Sequence, residues 1–138
     1  MACVHRLSAR AVLDDSAGPL AHAKAEAEAG DESWEQWVTE YERGDALILR
    51  LELTLEFGNG DGETVTASRD GFFVENHAHA PKVEQQIAEL AFGDLTALAA
   101  ELAERRRDVD PRALSGMYVH VELDDEVRHL VHDRGAAA

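Results

Sequence analysis

The chain has 138 residues, of which 45% are apolar and spread through periodic segments, so one core in a single globular domain over 1–138 is expected and a disordered tail is excluded. Twenty-eight acids against thirteen Lys and Arg leave a net charge of −15. Such a surface repels nucleic acid, and no run approaches the roughly 18 apolar residues of a membrane span.

The charge is uneven. Residues 14 to 63 hold fourteen acids and only Lys24, Arg43 and Arg50, a local net of −11. A docking face for a basic partner is one reading. Solubility, or a compositional bias in which two Lys stand against eleven Arg, is the other. The single cysteine, Cys3, excludes an intrachain disulfide and a Cys-based zinc site. The first residues lack the apolar core of a signal peptide, and a cytoplasmic protein is expected.

In chain order, residues 3 to 13 alternate and predict a first strand. Pro19 to Ala29 is helical by propensity, ending at Gly30, but has almost no apolar face. Ser33-Trp34-Glu35-Gln36 reads as a capping box, and Trp34, Trp37, Val38 and Tyr41 form the stripe of an amphipathic helix over 34–43. That stripe is read as core, not as a ligand cage. Residues 46–57 place Leu47, Leu49, Leu51, Leu53, Leu55 and Phe57 on one face and Arg50, Glu52, Thr54 and Glu56 on the other, a half-buried strand.

A Gly58-Asn59-Gly60-Asp61-Gly62 turn then leads into a strand over 63–75. Because a strand and not a helix follows, these glycines are turn residues and not a phosphate cradle. Pairing Phe57 with Glu63 brings Leu55 to Val65, Thr54 to Thr66, Leu53 to Ala67, Glu52 to Ser68, Arg50 to Asp70 and Leu47 to Phe73. Arg69 opposite Leu51 is discordant, and with Gly71 beside it a bulge is expected.

Pro81 opens a helix over 82–91, which the Phe92-Gly93-Asp94 step breaks so that Asp94 caps a second helix over 95–107, ending in Arg105, Arg106 and Arg107. Residues 117–123 and 127–132 are read as a closing hairpin that pairs Leu123 with Val127 and Val119 with Val131 and sets His129 near Val121 and His132 near Tyr118. The sum is an α+β fold of two layers. An antiparallel sheet of about five strands (3–13, 46–57, 63–75, 117–123, 127–132) carries the helices 34–43, 82–91 and 95–107 on its apolar face.

Two functional readings follow. The wet face of the central hairpin, with Glu52, Thr54, Glu56, Thr64, Thr66 and Ser68, suits a non-catalytic acidic binding protein that docks a basic protein partner. By analogy of size and charge it is of the inhibitor or immunity type. No cofactor is needed, and a homodimer through an exposed sheet edge is compatible with it. In the alternative, a small enzyme or ligand-binding domain uses His77, His79 and Glu84 as acid–base groups or as ligands of a divalent transition metal. The run from Gly71 through His77-Ala78-His79 to Glu84 resembles the first motif of the cupins. The likeness covers about fourteen residues, Ala91 replaces the motif's last Gly, no second motif follows, and helix stands where cupins need strands, so membership is rejected.

Overall fold

The computed structural model describes residues 4–14, 17–58, 63–76, 78–105 and 109–131. Cys3, Gly60, Gly62, His77, Arg106, Arg107 and His132, all singled out from the sequence, lie outside the described residues. In chain order the elements are β1 (Val4–Leu13), α1 (Ala17–Glu28), α2 (Glu32–Glu42), β2 (Ala46–Phe57), β3 (Thr64–Glu75), α3 (Ala80–Arg105), a 3-10 turn (Pro111–Leu114), β4 (Val119–Leu123) and α4 (Asp125–Leu130).

The fold is α+β, but the sheet has four strands, not five, in the order β3-β2-β1-β4, and it is mixed. β1 and β3 run antiparallel to β2, while β4 runs parallel to β1. The 26 residues of α3 explain that direction. A helix of this length spans about 39 Å at 1.5 Å per residue, enough to return the chain to its starting end and cross the sheet to the far edge.

Alternation along β2 buries Leu49, Leu51, Leu53, Leu55 and Phe57 on one face. Leu7, Ala9 and Ala11 of β1 extend that face. The small Ala9 and Ala11 leave room for α3, which inserts Val83, Ile87, Ala91, Leu95 and Ala99, one residue per turn. The expected break in α3 does not occur. Gly93 is exposed within a continuous helix, and its cost of about 0.5–1 kcal/mol is outweighed by burial of Leu95 one half-turn on, worth roughly 1.5–3 kcal/mol. Asp94 is not a cap. Its carboxylate receives Arg69 Nη1 at 2.8 and 3.0 Å, so the arginine that sat awkwardly opposite Leu51 reaches across to α3.

The bulge falls where the sequence suggested. From Glu56↔Thr64 to Leu51↔Arg69 the pairing is as expected, but beyond it Leu49 faces Phe72 and Ile48 faces Phe73, so Leu47 pairs with Val74 and not Phe73. Asp70 and Gly71 together oppose Arg50, and Gly71 takes φ +76, which a side chain rarely tolerates. The shift restarts the alternation out of phase. Phe72 and Val74 join the main core, while Phe73 emerges on the opposite face beside Ile48.

That face therefore needs its own cover at one end, and α1 and α2 supply it. Ala23 is fully buried against Ile48 and Phe73, with Leu20, Trp34, Trp37, Val38 and Tyr41 packed around them. Trp34, Trp37 and Tyr41 approach the Phe73 ring with centroids at 5.7, 5.9 and 6.4 Å. The aromatic stripe is core, but of this second cluster, so α2 lies on the side of the sheet opposite α3 and not beside it. The segment read as helical by propensity alone is α1 and has a packed partner. Asp31, not Ser33, caps α2, accepting from the Ser33 and Trp34 amides and from the Ser33 hydroxyl. Asn76 ties the end of β3 to the turn after α2, its Nδ2 donating to Gly44 O at 3.2 Å and its amide to Asp45 O at 2.8 Å.

The closing hairpin is absent: residues 125–130 are helix. Leu123, Val127 and Val131 are all buried, and a four-residue spacing serves a helix as well as a three-residue hairpin turn. β4 finds its partner in β1 instead, the ladder running on to Asp124 N–Ala11 O at 2.9 Å. Asp125 and Glu126 then sit in the first turn of α4, where the helix dipole favours acids, and Arg128 and His129 in the last.

Candidate functional site: the open sheet face

On the side of the sheet away from α3, α1 and α2 cover the surface around Ile48 and Phe73. Towards the Phe57 end of β2 that side is open and polar. The pairing sets its side chains in rows across the strands. His120, Ser8, Thr54 and Thr66 form one row, and Glu122, Arg10, Glu52 and Ser68 the next. Arg6, Glu56 and Thr64 form a third.

Glu52, Thr54, Glu56, Thr64, Thr66 and Ser68 thus share one surface, paired as Glu52↔Ser68, Thr54↔Thr66 and Glu56↔Thr64. The β2 members are half-buried and the β3 members exposed. β1 and β4 add residues that the hairpin alone did not reveal. Arg6, Arg10, Tyr118, His120 and Glu122 border a shallow hollow of about 420 Å³ with Glu52 and Thr54. Their alternation was readable in 3–13 and 117–123. What was missing was the knowledge that β1 lies between β2 and β4.

The added arginines change the electrostatics. Arg10 donates to Asp124 Oδ1 at 2.6 Å and Arg50 reaches Glu52 Oε1 at 3.5 Å. Both pairs are solvent-exposed and each contributes about 0–1 kcal/mol. The face is therefore nearly balanced in charge, and the acid excess lies alongside it, on the exposed Glu26, Glu28, Asp31, Glu32, Glu35 and Glu42 of α1, α2 and the loop between them. Tyr118, 73% exposed, is the only large apolar side chain exposed among the described residues, and it meets His120 edge to face at 5.0 Å.

Of the other sequence-derived set, His77 lies outside the described residues. His79 precedes α3, its carbonyl accepting from Val83 N at 3.1 Å, and Glu84 is half-buried in the helix. Among the described residues no group of three or more His, Cys, Asp or Glu is placed to hold a metal ion. His129, expected across from Val121, lies on α4. No helix among the described residues is long and apolar enough to cross a membrane.

Comparison with known protein families, with curated proteins and with solved structures returns no match to this chain.

Proposed function

We propose that this is a non-catalytic binding protein that docks a basic protein partner on its open sheet face. The observation that carries the reading is the uncovered surface itself, four strands of polar side chains in register with the exposed aromatic Tyr118 at its margin. Tyrosine so placed is a common anchor of protein interfaces, supplying apolar area and a hydroxyl.

Four strands about 4.8 Å apart and three rows about 7 Å apart cover roughly 400 Å². A stable interface takes about 800 Å² from each partner. The partner must therefore also touch α1–α2, which rises from the same side of the sheet and carries acids. That geometry supports a division of labour: the near-neutral rows provide hydrogen bonds and register, and the chain's net charge of −15 steers a basic protein into place.

The test is affinity capture with the purified protein, followed by Tyr118→Ala, Glu52→Lys and Glu56→Lys. Tyr118→Ala is expected to speed dissociation of the captured partner, and the two lysine variants or added salt to slow association. A partner whose binding ignores all three substitutions and the salt concentration would end this account.

A further inference from the structure

A cleft of about 770 Å³ lies away from the open face. It runs along the outer edge of β3, between the α1–α2 pair and α3, and adjoins a second lobe of about 600 Å³ that shares Trp37, Phe72, Phe73 and Leu90. A cleft of this size, bordered by Trp34, Trp37, Phe72 and Phe73 together with a few polar groups, is what small-molecule sites look like.

We propose that this cleft binds a small organic cation, an alkyl- or aryl-ammonium whose apolar body lies against Trp34, Trp37 and Phe73 and whose charge faces Asp70. The rings are not stacked flat: Trp34 stands at 79° and Trp37 at 44° to Phe73, so together they form a corner. A cation seated over a ring face is attracted by the ring quadrupole, and four such rings border this cleft. The charges in the wall point the same way. Arg69 is occupied by Asp94, held at 2.8 Å, whereas the exposed carboxylate of Asp70 has no hydrogen-bond or ion-pair partner among the described residues. The adjoining lobe adds Glu75 and Glu89 against Lys82. An anion would meet a net negative wall, and the whole chain's charge concentrates cations near it.

A peptide strand added to the edge of β3 is disfavoured at the same place. The bulge at Asp70 and Gly71 interrupts the hydrogen-bonding edge, and Arg69 and Asp70 set charges on it. This site is separate from the open face, so neither reading depends on the other.

Trp34 and Trp37 are the only tryptophans of the chain, so intrinsic fluorescence reports on the cleft directly. The experiment titrates the full chain with benzyltrimethylammonium, benzyl alcohol and benzoate. Saturable quenching by the ammonium, about fivefold weaker binding of the alcohol and none of benzoate are expected. Asp70→Asn should weaken the ammonium about threefold and leave the alcohol unchanged. His22→Lys, an exposed position on the α1 wall, should do the same by adding a cation, and it carries the test if Asp70→Asn loses its helical circular dichroism. Equal binding of the three probes, no saturable signal from the ammonium, or an ammonium affinity untouched by the folded variants overturns the proposal.

Discussion

Replacing Phe73 by alanine should detach the α1–α2 layer and leave the rest of the sheet folded. Phe73 is 9% exposed and belongs to the second cluster, whereas the main core is built from other residues on the opposite face. Deleting a buried phenylalanine costs about 3–5 kcal/mol. The lower end applies here because the neighbouring cleft is open and the site can collapse, although three ring pairs at 5.7 to 6.4 Å are lost with it. A local loss of about 3 kcal/mol raises the open population of α1–α2 roughly a hundredfold. Native-state hydrogen exchange should therefore show the amides of Ala17–Glu28 and Glu32–Glu42 exchanging about a hundredfold faster, with β2 and α3 little changed. Tryptophan emission should move to the red as Trp34 and Trp37 gain water. Leu53→Ala, in the main core, should instead lower protection everywhere by about 3 kcal/mol. If Phe73→Ala left α1–α2 protected, or loosened all elements equally, the two-cluster account would be refuted.

Gly93→Ala should stabilise the protein by about 0.5–1 kcal/mol in a urea melt, since Gly93 is helical and a Cβ there meets no atom within 4 Å. A loss of stability would mean that α3 is interrupted at that point after all. The Asp31 carboxyl is held below its ordinary 3.8, chiefly by the Ser33 hydroxyl and also by the Trp34 and Ser33 amides, against an opposing desolvation. Its contribution is thus complete above the ordinary value and is lost as pH falls through the lowered one. Asp31→Ala should accordingly lower the thermal midpoint near pH 7, with the gap to the parent narrowing as pH falls through the lowered value, and a pH-independent difference would count against the cap. On the binding reading, dialysed protein should carry no stoichiometric transition metal and His79→Ala should fold and bind as the parent does. Metal retained by the parent and lost in that variant would favour the alternative chemistry.

Legibility differed from element to element for identifiable reasons. The hairpin of β2 and β3 was readable to the residue pair as far as Leu51↔Arg69, because alternation, matched threonines and a glycine turn all constrain one register. The bulge was signalled by Arg69 and Gly71, but its consequence was not, since reversing the phase of Phe72 and Phe73 matters only when something covers the other face. The six candidate residues on β2 and β3 were visible as a group. Arg6, Arg10, Tyr118 and His120, which border the same hollow, were not, because nothing local says which strand neighbours which.

What the residues determine by themselves is periodicity: the leucines of β2 share a face, Trp34 to Tyr41 form a helical stripe, and the acids outnumber the bases. These follow from covalent geometry and from counting. Tertiary structure decided which elements share a surface. Whether Leu123, Val127 and Val131 close a hairpin or a helical turn depended on β4 finding an open edge at β1, and whether α3 could run through Gly93 depended on the stripe buried on both sides of it. In both cases two local conformations lie within about 1 kcal/mol of each other, and burial against a distant part of the chain, worth several times that, makes the choice.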